Sequence, residues 1–462
     1  MLQNNSPWIK ELARTRPIIG LDRNVSCDVA IVGGGIAGVV TAFFTLRNTN
    51  KTVLLFEADK IAHGATGHNA GQITSYFERP LPEMVEEFGV ERAIDGQRSI
   101  ESAWDLLNQI IKEADLNIDH SRFIGYAGIS NLEQLLPHLK SSRYRIDHHL
   151  FQEKIVVAHE WEDVSKIPEI YQDLYSVAPQ AKILELLESN NPDYIASLSY
   201  QKGCMNSALF TEKLLTYLTQ KYEDRCAFYE GSVVKKVILK ENAAELEIMQ
   251  HTVQAQKVVL CTNGFEQFAI KNEAGPAINT QFHHLVTGLV GYMSGYVQTP
   301  QHEPIAISYF PKEKINKNNI LNDSYFYLTR RPFEHEVNKQ HDLICVGGPD
   351  KELPESERFL YDHAEMGRVN ITIDRFLRKS YNKYPPEDVE FAYSWQGLMG
   401  YTPNGIRRIG PEPCNEVLLY NLGCNGVGIL PSIFGGKRIA QFLNNENVAP
   451  SIFDPHDQRV AG

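Results

Sequence analysis

An α/β architecture combined with an α+β one, in two domains that interleave along the chain, is the fold class this sequence predicts. Three observations carry it. A strand, a glycine turn, a helix and a second strand succeed one another within residues 28–57; buried-strand texture returns near the middle and near the end of the chain; and a Tyr-, Phe- and Thr-rich alternating pattern fills residues 275–391. At 462 residues the chain has room for two to four domains of roughly 150 residues.

Asp28-Val29-Ala30-Ile31-Val32 is apolar and β-branched after its first residue, the texture of a strand covered on both faces in a parallel sheet. Gly33-Gly34-Gly35-Ile36-Ala37-Gly38 follows as a turn, residues 39–46 have the apolar content of a helix packed on a sheet, and Asn48-Thr49-Asn50 stops that helix. Residues 52–56 form a second buried strand ending at Glu57. Residues 29–46 are also 18 residues without a charge, nominally enough for a membrane span, but the glycines inside suit a strand, turn and helix instead. Residues 83–116 predict a helix whose Trp104, Leu106, Leu107, Ile110 and Ile111 form an apolar stripe against a core. Residues 211–222 predict another, 232–239 with 244–249 a hairpin, and 258–260 a buried strand. Residues 324–329 read as an antiparallel strand, and 362–381 and 432–443 as the last helices. The expected division gives the nucleotide-binding domain residues 1–80, 196–274 and 391–450. Residues 81–195 form a mainly helical and substrate-domain segment, 275–390 the antiparallel substrate domain, and 451–462 a tail.

Composition narrows the function. Apolar residues at 43% and charged residues at 22% are ordinary for a globular protein and exclude a disordered or low-complexity chain. A net charge of −12 argues against a nucleic-acid partner, which needs a basic face. Seven scattered cysteines without a CxxC pair indicate a reducing compartment, here the cytoplasm, and no zinc site. Residues 1–10 lack the apolar stretch of a secretory signal.

Gly33, Gly35 and Gly38 form a GxGxxG between strand and helix, where they serve a tight turn, a close backbone approach to pyrophosphate and close helix packing. Ile36 and Ala37 open the helix whose N-terminal N–H groups favour a diphosphate. Glu57, 19 residues after Gly38 and followed by Ala58, suits ribose hydroxyls. A second glycine-rich segment, His63 to Gln72, is dispensable for NAD but suits the longer FAD, which needs small residues and backbone donors along its path.

With these segments the chain resembles the D-amino-acid oxidase and glycine oxidase superfamily of FAD-dependent amine oxidoreductases over nearly its whole length. Ser6-Pro7-Trp8 resembles the leader of the gamma-glutamylputrescine oxidase branch, and Gly64, Ala65, Thr66, Gly67, Asn69, Ala70, Gly71 and Gln72 resemble a glycine-rich segment of the same branch. Trp395-Gln396-Gly397 with Thr402-Pro403-Asn404-Gly405 and Ile409-Gly410 resembles the family segment beside the flavin ring. Gly426-Val427-Gly428, followed by Ile429, resembles its last flavin-contacting turn; Val234 matches the adenine-facing valine and Thr262-Asn263-Gly264 the mid-chain cofactor turn. His68 departs from the branch's arginine. A histidine in a similar segment carries the flavin covalently in the dimethylglycine dehydrogenase branch, so His68 is either an attachment point or a polar neighbour of the cofactor.

The resemblance implies FAD-dependent oxidation of a C–N bond in a secondary or primary amine, an amino-acid or polyamine derivative. Hydride goes to flavin N5, the imine hydrolyses, and oxygen or another acceptor takes the electrons. Tyr325, Tyr327, Arg330 and Arg331, on or beside one strand, are the expected substrate residues, the arginines as a carboxylate clamp. The oxygen-activating lysine of some relatives has no counterpart in Cys345-Val346-Gly347-Gly348-Pro349-Asp350. A 2-hydroxy-acid or polyol-phosphate oxidoreductase and a non-catalytic FAD-fold regulator are the other readings of the same fold, and a homo-oligomer is compatible with it. Asp147-His148-His149 and His283-His284 lack a third ligand at metal spacing, and no metal is expected.

Overall fold

The computed structural model describes residues 5–278, 286–299, 301–312, 322–336, 339–354, 357–360 and 365–455. Two large sheets organise them. In the first, Val25–Val32 lies between Val53–Phe56 and His251–Leu260, parallel to both, and Cys226–Tyr229 extends the edge. His251–Leu260 divides its partners: its first half pairs antiparallel with Ala244–Ile248, and its last residues pair parallel with Asn415–Leu422. Where the parallel strands meet, residues 29–32, 258–260 and 417–422 are all buried and, Asn421 apart, apolar, as a sheet covered on both faces requires. Ile36–Asn48 and Ile429–Leu443 cover one face and pack on each other, Gly436 allowing backbone-close approach to Val40 and Thr41.

The second sheet is ten-stranded and mostly antiparallel, with Thr287–Gln298, Asn322–Glu336 and Lys339–Leu353 as its long members. Its strands come from two runs of sequence, residues 72–205 and 287–401. Gln72–Thr74, Ala196–Met205 and Tyr393–Tyr401 all belong to it, although each falls within a segment expected to build the nucleotide-binding domain. The helix expected over residues 83–116 is two, Leu81–Phe88 and Val90–Glu113, because Gly89 at φ +81° breaks it. Residues 283 and 284 lie outside the described residues. His148 and His149 end the helix Leu132–Asp147, and no group of three metal-ligating side chains occurs among the described residues. No helix among them is long and apolar enough to cross a membrane; residues 29–46 are strand, turn and helix.

The N-terminal segment is inserted between the two sheets. Asn5 pairs with Ser394, and fully buried Trp8 meets Trp395 edge-on at 6.4 Å between ring centres. Both indoles donate to the carbonyl of Asn69, at 2.6 and 3.2 Å.

Candidate active site

A cavity of about 920 Å³ runs between the carboxyl ends of the parallel strands and the second sheet. Its first wall is the GxGxxG turn. Gly33 takes φ +111°, and a Cβ on Gly38 would fall 1.9 Å from the Gly33 carbonyl oxygen, so both positions admit glycine alone. The Thr66 hydroxyl accepts from the Ile36 N–H at 3.0 Å and ties the second glycine-rich segment to the first helix. Glu57 accepts from the N–H groups of Gly34 (2.6 Å) and Asp59 (2.9 Å), while burial raises its carboxyl above the ordinary range.

Most of the residues expected to hold cofactor or substrate line this cavity; Gly38, Gly71, Gly264, Trp395, Thr402, Arg330 and Arg331 do not. The first five stand behind the wall. Gly38 underlies Gly33, Gly71 packs on Trp8, Gly264 packs on Val286, Trp395 holds the Asn69 carbonyl, and the Thr402 hydroxyl donates to the Ile406 carbonyl at 2.8 Å. His68 lines the cavity beside the Gly397 backbone, its Nδ1 3.0 Å from the Gly64 carbonyl, and burial lowers its pKa.

The arginines are a correction. Arg330 is buried on the far face of its strand, bound to both carboxylate oxygens of Glu188 at 2.6 and 3.0 Å and to the Tyr381 hydroxyl at 2.8 Å. Arg331 lies over the Trp8 ring at 4.8 Å and pairs with Glu11. Neither faces the cavity, so the structure builds no carboxylate clamp from them. Arg330→Met is expected to cost about 3 kcal/mol of unfolding free energy, because Glu188 and fully buried Asp342 both lose the guanidinium and, among the described residues, only Lys383, 3.7 Å away, remains to pair with Glu188. The substrate KM of the folded enzyme should stay unchanged, which denaturant melts and steady-state kinetics on the same preparation will check.

Several cavity residues went unread in the sequence. Thr74, Tyr76 and Glu78 continue the alternation that begins at the expected Gln72, and all three line the cavity with it. The Glu78 carboxylate accepts from the hydroxyls of Tyr401 at 2.9 Å and Tyr325 at 3.4 Å. It sits against Gly426, where a Cβ would lie 2.1 Å from its carboxyl carbon. Glu78 is open to the cavity yet surrounded by protein, and burial pushes its carboxyl up to about 6. The rings of Tyr325 and Tyr327 lie 5.7 Å apart beside it. Lys202, fully buried on Ala196–Met205, donates to Ser308 Oγ at 3.1 Å and reaches Gln72 Oε1 at 3.5 Å. Burial brings its amine down to about 7. A buried lysine therefore stands behind this wall, supplied by Ala196–Met205 and bonded to the lining residues Gln72 and Ser308.

Glu266 also lines the cavity, and its carboxyl oxygens find no hydrogen-bond partner among the described residues. Burial raises it from 4.5 to about 8, so it is protonated at neutral pH. Between those two values the folded chain holds a proton that the unfolded chain releases, and stability from this group falls as pH rises through the window. Glu266→Gln is expected to flatten that slope, with the variant gaining on wild type as pH goes from 6 towards about 8; melting temperatures across this range will show it.

The donor set fits FAD: a glycine turn at a helix N-terminus for a diphosphate, an acid at the end of the second strand, and a long cavity continuing past Val234 and Asn263 to the tyrosines. The comparisons with known proteins agree. Over 442 residues the chain is 20% identical to the oxidoreductase OrdL of Haemophilus influenzae, covering 92% of this chain and 85% of that protein. It is 29% identical over 105 residues to the gamma-glutamylputrescine oxidoreductase of Escherichia coli, 22% of this chain and 24% of that one. A third match, to the Rieske 2Fe-2S iron-sulfur protein YhfW of Bacillus subtilis, spans 19% of that protein's length. The crystal structure of glycine oxidase from Geobacillus kaustophilus superposes with a TM-score of 0.64 over 93% of this chain and 98% of that one, at 16% identity, and has the same fold. Residues 28–442, which contain every glycine turn described above, match the DAO family, so the chain is a member of the DAO family of FAD-dependent oxidoreductases.

Proposed function

We propose that this enzyme oxidises a C–N bond of an amine that enters the cavity as a cation and is held by Glu78. The observation that carries the reading is the carboxylate itself, fixed by Tyr325 and Tyr401 in an end of the cavity walled by Tyr76 and Tyr327. A carboxylate among aromatic rings attracts a positive charge through an ion pair and through ring faces. With Arg330 and Arg331 turned away, the same end has little to offer a carboxylate or phosphate, which weighs against a hydroxy acid or polyol phosphate. The short match to the gamma-glutamylputrescine oxidoreductase supports an amine as well.

Bound FAD would supply an acceptor for the hydride on the carbon beside the nitrogen and a route for the electrons to oxygen or another acceptor. The chain's own residues do the rest. Glu78, largely ionised above about pH 6, pairs with the ammonium and accepts its proton at Oε1 or Oε2, leaving the neutral amine that hydride departure requires. Tyr325 and Tyr401 fix the carboxylate so that it meets the nitrogen in one orientation.

The test is the visible spectrum of the purified protein under anaerobic conditions. N-methyl amino acids, gamma-glutamylated polyamines and D-amino acids form one panel, and 2-hydroxy acids with glycerol phosphate the other. Loss of the flavin absorbance with a member of the first panel alone supports the proposal; loss with the second alone overturns it. Acid precipitation of wild type and His68→Ala assigns His68: colour retained in the wild-type pellet and released in the variant makes it the attachment point, and colour released from wild type leaves it a polar neighbour of the cofactor.

A further inference from the structure

Arg407 is a cation buried without an anion. It is 5% exposed and lines the cavity. Its Nε donates to Asn421 Oδ1 at 2.7 Å, Nη2 to the Asn421 carbonyl at 2.8 Å, and Nη1 to the Gly423 carbonyl at 3.5 Å. All three acceptors are neutral oxygens. Among the described residues it forms no ion pair, whereas buried Arg145, Arg330 and Arg331 each have a glutamate. Burial draws its pKa down to about 10, which leaves it charged at neutral pH, and the ionisable side chains that bear on it are the thiols of Cys424 and Cys261. Burying a guanidinium against neutral oxygens alone is costly.

Its surroundings indicate where the missing charge lies. Asn421, which orients Arg407, also donates to Thr41 Oγ1 in the helix that begins at the GxGxxG turn and to the Ser432 carbonyl in the helix that follows the Gly423–Gly428 turn. Cys261 ends the strand beside Gly33, and Cys424 belongs to the second turn. Arg407 therefore sits between the two glycine turns that border the cofactor cavity.

We infer that Arg407 supplies the buried positive charge that balances the negative charge of the bound FAD. FAD offers two sources of that charge, its diphosphate and the ring once it has gained two electrons and one proton. The inference rests on FAD occupying this cavity and is independent of which amine is oxidised.

The test uses the full-length holoprotein as wild type, Arg407→Gln, Arg407→Lys and Asn421→Asp. The first variant keeps a donor but no charge, the second keeps the charge, and the third places a carboxylate on the same guanidinium. Two quantities are read: the two-electron midpoint potential, and the rate at which FAD fluorescence is released on dilution. A potential lower by about 30 mV in Arg407→Gln and Asn421→Asp, a tenfold equilibrium change for two electrons, with Arg407→Lys near wild type, assigns the charge to the ring. FAD release about tenfold faster in the same two variants at unchanged potential, again with Arg407→Lys near wild type, assigns it to the diphosphate. Wild-type values of both quantities in the neutralised variants overturn the inference. So do equal effects of Gln and Lys, which would make the role one of shape. Should Arg407→Gln fail to fold, Asn421→Asp against Arg407→Lys carries the same decision.

Discussion

Gly38→Ala is expected to yield protein without bound flavin, or no soluble protein at all. The new methyl carbon would lie 1.9 Å from the Gly33 carbonyl oxygen and 3.1 Å from its carbonyl carbon, both backbone atoms of the turn itself. Relief requires the helix to move off the strand, which undoes the close approach that the turn exists to provide. Overpacking a rigid site costs about 1–3 kcal/mol and here falls at the upper end or beyond, because no flexible side chain can yield. Gly64→Ala is the matched control. It lines the same cavity, but nothing lies within 4 Å of its new Cβ, and its φ of −76° suits alanine. The ratio of flavin to protein absorbance in the two purified variants measures the difference, with the control close to wild type.

The second large effect is at Glu78. Glu78→Gln removes a charge-assisted hydrogen bond to the substrate worth about 1.5–3 kcal/mol, so KM for a cationic amine should rise roughly 10- to 100-fold. The pH profile separates this from simple loss of packing. In wild type kcat/KM should fall as pH drops through about 6, where the carboxylate takes up a proton, and the glutamine variant should lack that limb. Tyr401 stabilises the ionised form by donating to Oε2, so Tyr401→Phe should move the limb to higher pH without abolishing it. An acid limb persisting in Glu78→Gln would assign it to another group.

What could be read from the sequence divides along a physical line. The glycine turns, Glu57, Val234 and the Gly426-Val427-Gly428 turn were legible because backbone approach to a cofactor requires particular residues at close, fixed spacing. Glu78 was not sought, yet the alternation of Gln72, Thr74, Tyr76 and Glu78 with Ile73, Ser75 and Phe77 was there to be seen as one face of an extended segment. Lys202 and Glu266 had no local signal; each reaches the site through tertiary packing. Arg330 misled for a specific reason. It shares a face with Leu328, away from Tyr325 and Tyr327, and its charge is met by Glu188, more than a hundred positions away. Arg331 does share the tyrosines' face but lies beyond the cavity, over Trp8. A residue type that suits a substrate suits a buried ion pair equally well, and only topology tells them apart.

The inserted N-terminal segment has a consequence for synthesis. Trp8 leaves the ribosome long before Trp395 and Ser394, against which that segment is seated and which lie nearly four hundred positions later. At roughly 5–20 residues per second that gap is on the order of tens of seconds. Throughout it the indole that will hold the Asn69 carbonyl has no final resting place, and the second glycine-rich turn is without one of its two clamps. The Asn69 carbonyl can therefore receive both of its indole donors only after Trp395 has been made. A nascent chain arrested before residue 394 should remain open to proteases at its first glycine-rich segments even when FAD is abundant.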